Sequence, residues 1–404
     1  MILLLSFFLG CAGTSEVAHK EVSSPPRPSS QAISNISGGL PQSGLWRQNI
    51  ALADMDGDGF LDIVAPPPRK AKREEERPFV FLWDNKEGKW KEGGFSFPAE
   101  AKYAVFGYGG IAVGDIQGGG SRNIVLAVHA GGIALFEDDK KNGFIERPFS
   151  TKDVFHSRSV EVVDINGDGR PDIIALSESS FENTKYKRQG LLVGLNKGNW
   201  DWDIKSVEGS AGLSGDFFAV GDFRGKGNKD IIICEENGKT KLVWFGDGEG
   251  NFKEYDNNFI GELWPRLVRA GDIDGDGKDE VVFKLMTRQG KVYLAAFQWT
   301  GESFADISAG LESVEEPVVF DLADLDGSGK KELVVLTRKG IGIYTYLSHK
   351  WVEKAYYPVS SYAEVGAAYS LRAGRNRDGS VLIAYNLGAD KKDMNHGIRA
   401  YLLK

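Results

Sequence analysis

Four carboxylates, Asp54, Asp56, Asp58 and Asp62, fall within nine positions of the stretch ALADMDGDGFLDIVA, residues 51–65. Like charges crowded this closely repel one another unless a cation sits among them. Carboxylates at positions 1, 3 and 5, a glycine at 6 and another carboxylate at 9 offer a ring of hard oxygens. Hard oxygens without His or Cys favour calcium over zinc or copper. An EF-hand shares the first half of this arrangement, but it needs a bidentate Glu at position 12, where this chain has Ala65. It also needs helices on both flanks. Here the flanks are a short strand-like run, NIALAD, and the prolines Pro66 to Pro68, so an EF-hand is excluded.

The same loop recurs along the chain. DINGDGRPDIIAL begins at Asp164, DIDGDGKDEVVF at Asp272 and DLDGSGKKELVVL at Asp324, and weaker copies begin at Asp115, at Asp222 and near Arg375. The seven starts are spaced by roughly 50 to 60 residues, a period expected of propeller blades or solenoid arrays. Each unit runs from an apolar strand into the acidic loop, then an Ile- and Val-rich second strand, a third strand, a Gly/Asn turn and a fourth. The third strands include PFVFLW, GIALFE, GLLVGLN, KLVWFG, VYLAAFQW, GIGIYTY and GIRAYLL.

Seven units of four strands predict an all-β fold, a seven-bladed β-propeller. The last unit, ending GIRAYLLK, has no fourth strand of its own, while AISNISGGLPQSGLW ahead of the first loop resembles FADISAGLESVEEPVVF ahead of the sixth. The N-terminal strand is therefore expected to complete the last blade. Closure removes the sheet edges that an open array would have to protect.

Over roughly residues 32–404 these units resemble the FG-GAP, or integrin α-like (VCBS-type), repeat family and similar repeats of bacterial secreted proteins. The resemblance implies metal ligands at loop positions 1, 3, 5 and 9, with a backbone carbonyl at 7. Carried over, these are Asp54, Asp56, Asp58 and Asp62 in the first loop and Asp164, Asn166, Asp168 and Asp172 in the third. In the fifth they are Asp272, Asp274, Asp276 and Glu280, and in the sixth Asp324, Asp326, Ser328 and Glu332. That makes about four structural calcium sites. One isolated loop reads equally well as a solvated Asp-Gly turn, but four in phase point to calcium. In the fourth loop Arg224 and Lys226 take ligand positions, so an internal ammonium or guanidinium is expected to neutralise Asp222 or Asp230. The second loop keeps Asp115 but has Gln117, Gly119 and Asn123. A metal held in a loop between two strands is structural, adding stability by linkage.

The 404 residues carry a net charge of −8 and a hydrophobic fraction of 41%. That is ample for a core and argues against nucleic acid as a partner. The N-terminal segment MILLLSFFLGCAGTSE resembles a bacterial lipoprotein signal, residues 1–11, with Cys11 as the lipidated residue. Ala12 after the cysteine points to the outer membrane of the bacterial cell envelope. Residues 12–31, rich in Ser and Pro, read as a disordered tether to the propeller at 32–404. With Cys11 lipidated only Cys234 remains, a buried strand residue, and no disulfide is expected.

Ligand recognition belongs on the face opposite the acidic loops, where the insertions between second and third strands gather: PPPRKAKREEERPF, SESSFENTKYKRQG and NLGADKKDMNHG. Aligning the starts of the first strands places Trp46, Arg47, Tyr108, His156, Arg158, Asp216, Trp264, Arg266 and Glu316 around the channel mouth. Aromatic faces beside charged forks suit sugar or peptide recognition. Trp46 and Trp264 packed between blades is the structural alternative. Of the five histidines only His156 falls in this ring, while His129 follows a strand. No His-metal motif, nucleophile elbow or phosphate loop is present.

The expected function is that of a noncatalytic, monomeric envelope protein that recognises a glycan or a protein partner at the mouth and meets the membrane only through its lipid. The alternative is a carbohydrate-active enzyme such as a polysaccharide lyase, with His156 or a Tyr as base and Arg158 or Arg266 facing a uronate. A further alternative is the scaffold of an envelope complex.

Overall fold

The computed structural model describes residues 32–99, 107–129, 131–139, 143–149, 157–178, 190–234, 242–255, 258–359, 368–388 and 396–404. The signal and tether, His156, and most of the second and third insertions lie outside the described residues.

Seven four-stranded antiparallel sheets form the described chain. Blade one comprises Ala51–Ala53, Asp62–Ala65, Phe79–Asp84 and Lys89–Glu92. Blade two comprises Ile111–Gly114, Asn123–Val128, Gly132–Asp138 and Phe144–Arg147. Blade three holds Ser157–Val163, Asp172–Ser177, Leu191–Gly198 and Asp201–Ser206. Blade four holds Phe217–Gly221, Asp230–Cys234, Val243–Gly246 and Phe252–Tyr255. Trp264–Gly271, Glu280–Met286, Val292–Trp299 and Phe304–Asp306 make blade five. Pro317–Ala323, Glu332–Thr337, Gly340–Leu347 and Lys350–Pro358 make blade six. Blade seven joins Ala368–Arg375, Val381–Leu387 and Gly397–Leu403 to the N-terminal Ile33–Asn35.

First strands contact one another in cyclic order, blade seven against blade one included, so they line the central channel. Second strands such as Asn123–Val128 and Asp172–Ser177 are buried along their whole length. Both of their faces pack against neighbouring blades, which is why they read as continuous apolar runs rather than alternating ones. Fourth strands face solvent and are mixed, as in Lys89–Glu92, where only Trp90 is buried.

Closure uses Ile33–Asn35, paired antiparallel with the last strand through Ile33↔Leu403 and Asn35↔Tyr401. The segment that follows docks on blade one. Trp90 donates its backbone N–H to Gly38 O at 2.8 Å and its indole N–H to Ile36 O at 2.8 Å. The same latch joins blades five and six, where Trp351 donates to Ala309 O at 2.7 Å and to Ile307 O at 3.2 Å. Gly39 and Gly310 sit at φ of 91° and 99°, and a Cβ there would lie 2.0 Å and 2.1 Å from the tryptophan carbonyls. Only glycine fits both demands. The closing joint is thus the ordinary blade-to-blade joint, made by chain from the other end.

Neighbouring acidic loops are also tied together. Asp279 N donates to Asp222 O at 3.1 Å, Lys331 N to Asp272 O at 2.8 Å, and Arg377 N to Gly59 O at 2.9 Å. Cys234 is buried at the end of its strand, and burial pushes its thiol well above the usual range. Among the described residues no helix is long and apolar enough to cross a membrane.

Candidate functional sites on the two faces

Each acidic loop is built on its position-1 carboxylate. Asp54 accepts from Gly57 N at 2.7 Å and Gly59 N at 3.0 Å, and Asp164, Asp272 and Asp324 repeat the pattern. The turn glycines supply the left-handed backbone that brings those N–H groups round. Positions 3 and 5 bond the next N–H but one, as Asp56 does to Asp58 N at 3.1 Å and Asp58 to Phe60 N at 2.7 Å. Carboxylate oxygens of Asp54, Asp56 and Asp58, of Asp272, Asp274 and Asp276, and of Asp324, Asp326 and Glu332 then converge within 4.8 Å in each set. These oxygen-only donor sets fit a hard cation such as calcium.

Position 9 also serves the fold. Asp62 and Glu280 are not among the oxygens that converge within 4.8 Å in loops one and five, and the third loop shows no such set among the described residues. Asp62 accepts from Met55 N at 2.7 Å and Trp83 N at 3.2 Å, and Asp172 from Ile165 N at 2.9 Å and Asn196 N at 2.8 Å. Buried amides need acceptors, and this carboxyl is the one within reach. Burial, reinforced by Asp56 and Asp58, pushes Asp62 up to about 7, and burial with Asp274 and Asp276 pushes Glu280 up to about 8. In the third loop Asn166 donates to Asp168 at 3.2 Å, and Arg170 pairs with the same carboxylate. In the fourth, Arg224 takes the cation's place, with Nε 3.1 Å and Nη2 2.7 Å from Asp230 and Nη2 2.5 Å from Gly246 O.

On the opposite face the first-strand starts do not all reach the mouth. Trp46 is only 4% exposed. It packs edge-on against Phe79 at 5.3 Å and Phe81 at 6.1 Å and donates its indole N–H to Ser43 O at 2.8 Å, so it belongs to the blade-one core rather than to a ligand surface. The proline-rich insertion folds back beside it through the Leu45↔Arg69 bridge, and that cover is what removes Trp46 from solvent. Trp264 is 41% exposed, with the Arg266 guanidinium 5.7 Å from its ring centre. Glu316 is exposed and faces Arg338 at 3.7 Å.

Arg47, Tyr108, Arg158 and Asp216 do come together, joined by four residues that the strand-start alignment passed over. Arg158 of blade three divides its guanidinium between Asp216, ahead of blade four, and Glu178, at the end of its own blade's second strand. Burial opposes the Arg158 charge, yet the Asp216 and Glu178 carboxylates outweigh it and hold the guanidinium protonated. Tyr369 of blade seven donates to Asp216 at 2.6 Å across the channel, and Arg47 lies 5.4 Å from its ring centre. Burial and the Asp216 carboxylate push the Tyr369 phenol well above its usual range. Tyr108 stacks on His129 at 4.7 Å, His129 pairs with Glu178, and Arg69 of the first insertion stands 5.9 Å from the Tyr108 ring. The missed signal was positional. His129 and Glu178 each follow an apolar second strand, and that end of the strand lies at the mouth.

Deeper in the channel Asp321 accepts from Arg269 Nε at 3.0 Å, Arg372 Nη1 at 3.2 Å and Ala373 N at 3.0 Å, while Arg372 Nη2 lies 3.7 Å from Glu161. Burial raises Glu161, and burial with the neighbouring Arg372 brings Arg269 down to about 10. Beside the mouth a groove of 1190 Å³ runs between blades five and six, lined by Lys284, Tyr293, Ser308, Glu316 and Arg338 among others. It reaches Ala368, the neighbour of Tyr369 in the chain.

Residues 222–283, which span the fourth and fifth acidic loops, match the family described as FG-GAP-like repeat, so the chain carries that repeat. No curated protein matches the sequence. Among solved structures the fold is similar to a polysaccharide lyase of family PL25, an ulvan lyase bound to a GlcA–Rha3S unit. That likeness has 13% identity over 91% of this chain and 94% of that one, with a TM-score of 0.50. It is also similar to a Penicillium chrysogenum α-L-arabinanase complexed with arabinobiose, at 10% identity, 92% and 98% coverage and a TM-score of 0.50. A fungal AA5-family alcohol oxidase in complex with copper is similar at 9% identity, 91% and 76% coverage and a TM-score of 0.53. At these identities the likeness is one of fold.

Proposed function

We propose that the propeller is a noncatalytic binding protein of the bacterial cell envelope that recognises a glycan at the channel mouth, with calcium in the acidic loops of the opposite face stabilising the ring. The observation that carries this reading is the convergence of Arg47, Tyr108, His129, Arg158, Asp216 and Tyr369, from five blades, on one polar and aromatic mouth. Stacked rings supply flat apolar area and the charged forks supply direction, which is how sugars are gripped. The groove between blades five and six offers room for further sugar units beside that mouth. Lipidation at Cys11, ahead of the Ser- and Pro-rich stretch to residue 31, would hold such a receptor at the outer membrane.

A β-eliminating lyase would need a base and a cation free to meet a uronate. Arg158 has its guanidinium engaged by two carboxylates, and the Tyr369 phenol is held protonated, so neither suits those roles. Binding without turnover is therefore the first reading, and a lyase using Arg266, beside Trp264, is the second. An envelope protein is the other ligand class for the same surface.

Probing the calcium-loaded chain on an array of glycans and polysaccharide fragments tests the reading. A coherent set of hits is expected, and Tyr108→Ala should weaken the best of them by at least about tenfold, roughly 1.4 kcal/mol, with unchanged melting. A blank array from folded protein would shift the assignment to a protein ligand. Hits that ignore Tyr108→Ala would move the site off the mouth.

A further inference from the structure

We infer that the sixth acidic loop is closed to calcium by a cation of the chain itself, the ammonium of Lys354, and that Lys354 with Arg224 sets how many ions the ring takes. This rests on the calcium reading of the acidic loops. Lys354 projects from the fourth strand of blade six and places Nζ 3.1 Å from Asp326 Oδ2 and 3.0 Å from Glu332 Oε1. Those two carboxylates, loop positions 3 and 9, belong with Asp324 to the converging set of that loop. The ammonium, on a side chain 47% exposed, therefore bridges two of the three carboxylates that would surround a metal. Glu332 is buried, its other oxygen accepting from Leu325 N at 2.9 Å, so it is held where the ammonium meets it.

The fifth loop shows what the sixth has changed. There the side chain bridging positions 3 and 9 is Gln298, whose Nε2 lies 3.2 Å from Asp274 Oδ2 and 3.1 Å from Glu280 Oε1. An amide satisfies the same two oxygens without neutralising them, leaving the carboxylate charge for a cation from solution. Position 5 completes the contrast, since Asp276 in the fifth loop is replaced by the neutral Ser328 in the sixth. Lys278 does reach Asp276 at 2.7 Å, but it pairs with that single carboxylate and leaves positions 3 and 9 to Gln298. In the fourth loop Arg224 has completed the same conversion, gripping Asp230 with two nitrogens. A tethered cation needs no concentration in solution to stay bound, so loops four and six hold their turns without calcium, while loops one and five, whose carboxylates converge, depend on it.

The test counts calcium ions bound per full-length chain by equilibrium dialysis. Asp326→Asn should leave the wild-type count unchanged, because nothing is bound there. Lys354→Gln, which installs the donor of the fifth loop in the sixth, should raise the count by one. Adding Asp326→Asn to that variant should remove the extra ion, while Lys354→Arg should not alter the count. Asp274→Asn should lower the wild-type count by one and so reports on the calcium reading separately. Loss of an ion in Asp326→Asn alone, or no gain in folded Lys354→Gln, overturns the inference. If Lys354→Gln fails to fold, Lys354→Ala takes its place with the same expected gain. A wild type that binds no calcium would refute the calcium reading, and a gain of one ion in Lys354→Gln would still support the role given to Lys354.

Discussion

Asp321→Ala is expected to destabilise the ring by about 3–5 kcal/mol, the cost of removing one partner from a buried ion pair. The physical reason is the company it leaves behind. Arg269 and Arg372 both donate to Asp321, both come from neighbouring first strands, and Arg269 Nη2 already has no hydrogen-bond partner. Without the carboxylate two guanidiniums would face each other in the channel, with Glu161 3.7 Å from Arg372 as the nearest acid. Ala373 N would also lose its acceptor. A domain is stable by about 5–15 kcal/mol, so such a loss consumes a large share of the total. Urea unfolding at neutral pH measures it. Replacing Arg269 by Met in the same chain should restore part of the stability, because the stranded charge then disappears. A loss below about 1 kcal/mol in the single variant would show that the network is hydrated and that the channel at this depth is wet.

Chelating calcium is expected to lower stability by about 2.7 kcal/mol for each occupied loop, relative to calcium at a hundred times Kd. The effect should carry a pH signature. In the metal-free fold Asp62 is raised to about 7 and Glu280 to about 8, above the ordinary carboxylate range that applies to the unfolded chain. Between about pH 4 and 8 the folded protein then holds more protons than the unfolded one, so metal-free stability falls as pH rises through that window. Calcium favours the ionised carboxylates and strengthens over the same range. Melting in chelator should therefore be higher at pH 5 than at pH 8, and the gain from calcium should be larger at pH 8. Asp56→Asn with Asp274→Asn should remove most of that gain. Equal melting with and without calcium at pH 8 would show that the acidic loops are solvated turns.

The ring itself was legible in the chain because what builds it is local or periodic. Position-1 carboxylates bond N–H groups three and five residues on, so the loops advertise themselves in a short window. Second strands buried on both faces read as unbroken apolar runs, and their recurrence counted the blades. The closing strand could be recognised because Gly39 repeats the role of Gly310, a local backbone demand that copies a residue type. The Arg224 guanidinium on Asp230 was likewise within reach of a sequence reading, six positions apart in one loop.

Tertiary structure alone decided which side chains meet across the ring. Asp216 finds Tyr369 153 positions away and Arg158 58 away, pairings set by blade order rather than by any local pattern. Trp46 looks like a mouth residue until the insertion after the second strand covers it and Phe79 and Phe81 enclose it. Asp62 reads in the chain only as a metal ligand, and the fold adds Trp83 N of the third strand, an amide that the same carboxylate satisfies in a dry place. Lys354 lies 22 positions from Glu332, on an outer strand of mixed burial, and nothing in its own neighbourhood marks it as the cation of the sixth loop. Backbone geometry and hydrophobic periodicity are short-range and survive in the sequence. The partners of a buried charge are chosen by whatever the folded ring brings within about 3 Å, and that choice is made only when the blades close.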